Sequence, residues 1–481
     1  MQLAEVEAIL GRLCAAGLLQ PPYAGPEGPD YSFRHPLIQE VAYSTQLRAR
    51  RGRLHAAVGR AIRRFYPERL NEFAALLSHH FEEAGETDVA ATYAARAARW
   101  VGSTSPAQAI KHWHKVRSLM ADQPRTSDND ALKITASGEI AWLGWREGMT
   151  SEEARPFIDE ALGWAREIDN SMIPLLLSVE GRIAGASGGH ADGYVKIVKE
   201  ALALTESRHD AGRTATLYAS LSQAYGWAGL LREALMANDM ALAGAPSISE
   251  FDHQFLGYSV DQWILSLRSR ILVRLGRLEE ARQCFDEILE IEPAMIDPTV
   301  RFIANLGYVD LAWCLDDPNM AHDHANRVAD LAMRQGSAYL RAYSLACSGT
   351  AHSIGGDHRA AIRAFAEALT FLRETRVAME IEPEMLASTA ECHLRSGDFD
   401  LAARTAQEAI SMSQARSARL PQCRATITLA KALNASNDPK ARDEAMKLLD
   451  QAEELIKVSG ATIYTRLLDE ARVQSTARIG C

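Results

Sequence analysis

The sequence predicts an all-α protein, a superhelical α–α solenoid with a small segment of different character at its N-terminus. Three observations carry that prediction. A helical-hairpin motif recurs about every 40 residues from Gly189 to the C-terminus. Strand signals are sparse, and the chain is rich in Ala, Leu, Arg and Glu, a composition that favours helix. A length of 481 residues suits one long array whose core is continuous between neighbouring hairpins, as well as several ordinary domains.

The motif is clearest from Ser266 to Pro293, where Gly276 is followed by Ala281, Phe285, Ile288 and Pro293. With that Ala as a phase marker, copies fall at Tyr194, Ala234, Ala281, Ala321, Ala361, Ala402 and Ala445, spaced 40, 47, 40, 40, 41 and 43 residues apart. Five residues upstream stands Gly189, Gly229, Gly276, Asp316, Gly356 or Gly397; the last copy has Asn437-Asp438-Pro439 instead. Glycine there accepts positive φ and ends the first helix. The small marker lets two helices cross closely, and apolar residues four and seven further on face the partner helix. Ser222, Ser269, Gly349 and Ala390, seven before the turn, leave room for the crossing. Leu265, Leu345 and Leu386, eleven before it, are expected in the core. Paired antiparallel helices in this pattern resemble tetratricopeptide repeats. The longer period implies helices of about 15 residues, and it resembles the solenoid arms of large bacterial signal-transduction ATPases.

From the N-terminus, Leu3, Val6, Ile9, Leu10 and Leu13 form a helical stripe ending at residues 15–19. A Pro/Gly-rich turn from Pro21 to Pro29 leads to a short strand at Tyr31–Arg34. Residues 1–47 therefore read as a partial winged-helix segment, with 20–30 as the wing tip, that starts abruptly as if its first helices were missing. Residues 48–120 are an Arg-rich junction followed by the first helical hairpins. From Tyr31 to Arg69 nine Arg face Glu40 and Glu68, a local +7 in a chain of net charge −10, so the remainder carries about −17. Arg48, Arg50, Arg51, Arg53, Arg60, Arg63 and Arg64 flank Leu54, Val58 and Ile62 at helical spacing. That is an amphipathic helix with an exposed Arg face, which suits an acidic neighbouring domain better than nucleic acid. Weaker repeats follow: Gly85 with Ala90, Ala94 and Ala97, and Gly148 with Ala154, Ile158 and Ala161 after a one-residue insertion. Between them Ser103-Thr104-Ser105-Pro106 reads as a turn opening a helix through Met120. Residues 121–130 read as a linker, 131–470 as repeats and 471–481 as a tail.

In order along the junction stand Phe-Arg-His-Pro-Leu-Ile-Gln-Glu-Val-Ala-Tyr (33–43), Arg-Arg-Gly-Arg-Leu-His (50–55) and Tyr-Pro-Glu-Arg (66–69). Leu-Leu-Ser-His-His-Phe-Glu-Glu-Ala-Gly (76–85) and Ala-Ala-Thr-Tyr-Ala-Ala-Arg-Ala-Ala (90–98) follow. This ordered set, over roughly residues 1–120, resembles the junction after the ATPase module in multidomain bacterial class III adenylate/guanylate cyclases. The resemblance implies a regulatory arm, joined by a winged helix to a signalling (STAND/AAA-type) ATPase and a cyclase domain. The chain has no Gly-x4-Gly-Lys-Ser/Thr loop to cradle phosphate. Nothing in it resembles a cyclase catalytic domain, so no family active-site residue has a counterpart. The expectation is a non-enzymatic chain without catalytic residues or cofactor. A stand-alone peptide-binding adaptor, or the arm of a signalling-ATPase transcriptional regulator, are the alternatives.

Seven scattered Cys with no Cys-x-x-Cys pair argue against disulfides and zinc and fit a reducing cytoplasm. No apolar run reaches membrane-spanning length and no basic-then-apolar leader is present. His112 with His114, and His322 with His324, sit two apart on helices and so point about 200° apart. They do not share a metal, and His79-His80 reads as packing. Trp100, Trp113, Trp142, Trp145, Trp164, Trp227, Trp263 and Trp313 mostly fall on helix faces, as core or groove lining rather than a cofactor box; Cys284 and Cys347 are expected as inert buried thiols. The functional surface is expected on the concave face lined by each first helix. The repeat phase places Gln223, Trp227, Trp263, Arg270, Arg274, Asp310, Trp313, Tyr343, Glu391 and Arg395 there. That mixture of aromatic and charged groups suits a peptide or protein segment. Arg60, Arg63 and Arg64 are the candidate contacts at the junction.

Overall fold

The computed structural model describes residues 3–25, 28–102, 105–168, 171–206, 209–292, 295–435 and 439–477. The turns expected at Ser103-Thr104 and Asn437-Asp438, Pro293 of the clearest copy and the end of the tail lie outside the described residues. The chain divides into two compact units, residues 1–97 and 98–481.

The first unit begins with α1 (Leu3–Ala15) and a two-stranded antiparallel ribbon of β1 (Tyr23–Gly25) and β2 (Gly28–Asp30). The strand expected at Tyr31–Arg34 is reduced to a single bridge between Phe33 and Leu19. The ladder lies instead within the Pro/Gly-rich stretch, where Pro29 is tolerated because a two-stranded ribbon asks for bonds on one side only. A helix and a ribbon of this size do not by themselves make a winged helix. Then come α2 (Pro36–Ser44), α3 (Arg48–Phe65), α4 (Ala74–Glu83) and α5 (Thr87–Val101), within which the division between units falls. The expected Leu54–Val58–Ile62 core stripe of α3 is displaced. Leu54 and Val58 are exposed, while Ala56 and Gly59 are buried, Gly59 against the Phe81 ring. The smaller residues win because α4 crosses too closely for a Leu.

The second unit is the solenoid. It opens with α6 (Pro106–Met120) and continues in hairpins: α7 (Ser127–Arg146) with α8 (Ser151–Glu167), α9 (Ile173–Ala186) with α10 (Ala191–Glu206), and α11 (Ala211–Ala228) with α12 (Leu231–Gly244). A short α13 (Glu250–Leu256) interrupts the array, which accounts for the 47-residue spacing. Next are α14 (Val260–Arg274) with α15 (Leu278–Glu290), α16 (Pro298–Leu315) with α17 (Pro318–Gln335), and α18 (Ala338–Ile354) with α19 (His358–Thr375). The array ends with α20 (Glu382–Arg395) and α21 (Phe399–Arg416), α22 (Arg419–Asn434) and α23 (Pro439–Ser459), and a closing α24 (Thr465–Ala477). The predicted linker is shorter than 121–130, because Thr126 caps α7 by accepting from Asn129 N and Arg125 pairs with Asp130 inside that helix.

Every phase marker is buried, from Tyr194 and Ala234 to Ala402 and Ala445. Ser222 donates its hydroxyl to the carbonyl of the marker Ala234 at 2.9 Å, tying the crossing together. Gly229, Gly276, Asp316, Gly356 and Gly397 all hold positive φ. The exception is the first turn: Gly188, not Gly189, takes φ +88°, and Gly189 N closes the cap by donating to Ala184 O. That cap has the longer turn of Gly148, six residues before its marker, and counting back five from Tyr194 therefore lands one residue late. Leu386 is buried as expected, whereas Leu265 and Leu345 are half-buried. They sit toward the flank of the crossing, where the next hairpin covers them only in part.

Candidate functional site

The solenoid closes on itself after one superhelical turn. Arg419 donates to Ala228 O at 2.8 Å and forks onto Asp192, Thr462 Oγ1 donates to Leu275 O, and Arg232 reaches Lys457 O. Leu231 and Leu275 pack into the cluster of Leu420, Leu449 and Tyr464. Partners about 190 to 230 residues apart meet in this way, which makes roughly five 40-residue hairpins per turn. A Cβ on Gly148 would lie 2.2 Å from Thr375 O, so the glycine permits this approach as well as the turn. Contact between successive turns makes the concave face the inner wall of a superhelical channel.

Two adjoining cavities of about 180 and 70 Å³ occupy it and share Trp227, Arg270, Arg274 and Tyr343 as walls. The larger also takes in Asp310, Trp313, Glu380, Glu384 and Arg424. The smaller takes in Gln223, Trp263, Trp142, Trp145, Arg146 and Arg182. Of the ten residues predicted for the groove, eight line one or both cavities: Gln223, Trp227, Trp263, Arg270, Arg274, Asp310, Trp313 and Tyr343. Two are not equivalent to the rest. Trp263 is 1 % exposed, a buried wall packed on Tyr258 rather than a free anchor. Arg270 is held by Asp310 through two 3.2 Å bonds.

Glu391 and Arg395 lie elsewhere, on a separate depression with Phe399 and Lys431. Glu391 is buried and receives Arg424 Nε and Nη2 at 3.0 and 2.6 Å and Arg395 at 2.9 Å. Arg424, from the next hairpin, also donates to Glu384 and Ser388 and lies over Trp313. The carboxylate is thus spent on hairpin stacking, a pairing that repeat phase alone does not reveal. Burial acts to raise the Glu391 pKa, but Arg424 and Arg395 outweigh it and hold it below the usual range.

The opposite wall holds residues that the groove assignment omitted. Arg182 sits 4.9, 5.5, 5.2 and 5.9 Å from the ring centres of Trp142, Trp145, Trp263 and Tyr258, and donates to the Tyr258 hydroxyl at 3.0 Å. Beside it is Arg146, whose charge is disfavoured by burial and by Arg182. Their signal was present. Gln223, Arg270 and Asp310 lie six before their turn residues, and Trp227 and Arg274 two before. The same register from Gly148 gives Trp142 and Arg146, and from Gly188 gives Arg182; from Gly189 it misses.

Between the two walls, Glu380 accepts from the hydroxyls of Tyr339 and Tyr343 at 2.6 and 2.9 Å, and burial raises its pKa. Burial also pushes the Cys314 thiol up to about 12 and the Cys347 thiol higher, so both are protonated and inert. Cys284 is half-buried, and its thiol is likewise raised by burial. His322 faces His352, whereas His324 stacks on Tyr308, so the two imidazoles meet different neighbours. His55 Nδ1 meets His80 Nδ1 at 2.8 Å and the Tyr43 hydroxyl through Nε2, a packed network in the first unit. The channel offers fixed guanidinium donors, aromatic faces and a few acceptors, which is equipment for binding.

The tetratricopeptide repeat model matches residues 264–295, most of the α14–α15 hairpin. No curated protein sequence matches the chain. Among solved structures, a Rap protein complexed with competence and sporulation factor is 12 % identical with a TM-score of 0.41, over 81 % of this chain and 99 % of that one. The tetratricopeptide-sensor STAND protein PH0952 from Pyrococcus horikoshii is 12 % identical with a TM-score of 0.40, over 84 % of this chain and 62 % of that one. Yeast Tom70 is 12 % identical with a TM-score of 0.33, over 85 % and 91 %. Among the described residues no helix is long and apolar enough to cross a membrane.

Proposed function

We propose that this chain is a non-catalytic binding and regulatory solenoid that takes a peptide or protein segment into its closed inner channel. The observation that carries the proposal is the convergence of Trp227, Arg270, Arg274, Asp310, Trp313 and Tyr343, from four separate hairpins, on adjoining cavities. Aromatic and arginine anchors in an enclosed groove are the usual source of affinity for such segments. Filling the channel shifts the equilibrium between closed and opened superhelix, because the closing contacts and the channel walls share the same helices.

We further read the chain as the arm of a class III adenylate/guanylate cyclase-type protein with a signalling ATPase module. The ordered junction motifs from Phe33 to Ala98 support this reading. So does the surface of the first unit, where Leu37, Val41, Leu47, Leu54, Val58 and Phe65 are exposed beside Arg60, Arg63 and Arg64. An apolar and cationic surface of that kind suits a docked acidic neighbour module. Arg60 already pairs with Glu86, and Arg63 lies over Tyr93.

The test compares partner capture by purified wild type, a Trp313→Ala/Arg270→Glu channel variant, and an Arg60→Glu/Arg63→Glu/Arg64→Glu junction variant, each checked by circular dichroism. Loss of a defined partner only with the channel variant supports the binding channel. Loss of a co-expressed ATPase module only with the junction variant supports the arm. A partner retained by the folded channel variant refutes the channel.

A further inference from the structure

The smaller cavity has a charge balance that the rest of the channel lacks. Its walls carry four arginines, Arg146, Arg182, Arg270 and Arg274, and no acidic residue. Asp310 neutralises Arg270, while among the described residues no carboxylate pairs with the other three. Arg146 is 4 % exposed and its Nη1 has no hydrogen-bond partner; Arg182 is 9 % exposed and its Nε has none. The Trp145 indole N–H and the Gln223 amide oxygen are likewise buried and unpartnered. Neither of the nearest acids bonds these arginines: Asp297 caps α16 and receives Ser259 N, and Glu380 receives both tyrosine hydroxyls on Oε1 while its Oε2 is buried without a partner.

The rings around Arg182 and the Tyr258 hydroxyl offset its burial in part, but Arg146 Nη1, Arg182 Nε and the Trp145 N–H remain unpartnered at that depth and carry a desolvation penalty. A missing partner of negative charge resolves it. We propose that this end of the channel is a carboxylate subsite, in which Arg146 and Arg182 receive a carboxylate of the bound peptide segment. This rests on the reading of the channel as a peptide site. A planar carboxylate accepts two parallel guanidinium bonds and fits a cavity of about 70 Å³ between aromatic rings. Gln223 Oε1 adds an acceptor, which a peptide N–H beside the carboxylate would satisfy.

The test uses a positional-scanning library of N-acetylated hexapeptides, made once with a free C-terminal carboxylate and once amidated, titrated against the full chain. Binders are expected to carry an obligatory carboxylate. Its amidation, or its replacement as Glu→Gln within the peptide, weakens binding at least tenfold in wild type and less than threefold in Arg146→Gln/Arg182→Gln. The amidated arm tells a C-terminal from a side-chain carboxylate. Arg274→Gln, half-exposed at the mouth, gives a milder loss and serves if the double variant does not fold. Arg146→Met is expected to raise the apo melting temperature by about 2–4 °C, because it removes an unpaired buried charge; a fall instead marks Arg146 as structural and overturns the subsite. Binding abolished by Trp313→Ala with acid selection unchanged in the arginine variants refutes the subsite alone. Competition by inorganic phosphate below about 1 mM, the affinity of a dedicated anion site, reassigns it to a phosphate and refutes the carboxylate. A library in which nothing binds refutes the peptide channel and the subsite with it.

Discussion

Replacing Glu391 with Ala separates a groove residue from a stacking residue. Glu391 is buried and takes two of the four bonds that Arg424 donates, the others going to Glu384 and Ser388. Removing one partner of a buried pair costs about 3–5 kcal/mol, chiefly because the other charge is left uncompensated. Here Glu384 still neutralises Arg424, but it is 42 % exposed and screened, so the lower end, about 3 kcal/mol, applies. The pH sign agrees. The Glu391 pKa is depressed in the folded protein, so its contribution is present above the unfolded carboxylate value near 4.3 and lost as pH falls below it. Urea unfolding followed by circular dichroism reads the change, and Arg424→Met in the Glu391→Ala background recovers most of the loss. A Glu391→Ala protein as stable as wild type that fails to bind its partner would falsify the stacking assignment and return Glu391 to the binding surface.

Other outcomes follow from the same packing. A Cβ on Gly349 would stand 2.6 Å from the Phe365 ring, so Gly349→Ala costs about 1–3 kcal/mol by urea unfolding, and Phe365→Leu beside it recovers part. A change below 0.5 kcal/mol, about the noise of such measurements, contradicts the close crossing. His324 is buried against Tyr308 and bonded to Asn305, and burial depresses its pKa, so stability is full above the unfolded value near 6.5 and falls as pH drops below it. His80, His112 and His358 act in the same direction; a melting temperature that rises on going from pH 7.5 to 5.5 contradicts this. The Arg60→Glu/Arg63→Glu/Arg64→Glu protein keeps its helical spectrum, because those side chains are exposed and the Arg60–Glu86 pair is worth about 1 kcal/mol at most. Unfolding of that variant would make the arginine face structural.

The helical hairpins, their phase and most of the channel lining are legible in the sequence, because an α–α repeat constrains every copy locally. A positive-φ turn, a small crossing residue and an apolar face recur at fixed offsets, so Ala281 and Phe285 announce their places without reference to the rest of the chain. Local offsets also carry charged and aromatic groups to the inner face, which is why Trp227, Arg270, Asp310 and Trp313 were found. What depends on partners far along the chain was not legible. Gly188 and Gly189 are equivalent as letters, and only the cap geometry chooses the first; that one-residue choice hid Arg182. Glu391 has the inner-face offset, yet Arg424 one hairpin later claims it. Leu54 and Val58 have core periodicity, yet the crossing of α4 over Gly59 leaves them exposed. The closure that turns a groove into a channel joins residues about 190 to 230 positions apart. It is set by the accumulated rotation of successive hairpins, a sum of small packing angles that no single repeat encodes. Local propensity thus determined the elements and their inward faces, and tertiary packing decided which inward charges were paired and which were not.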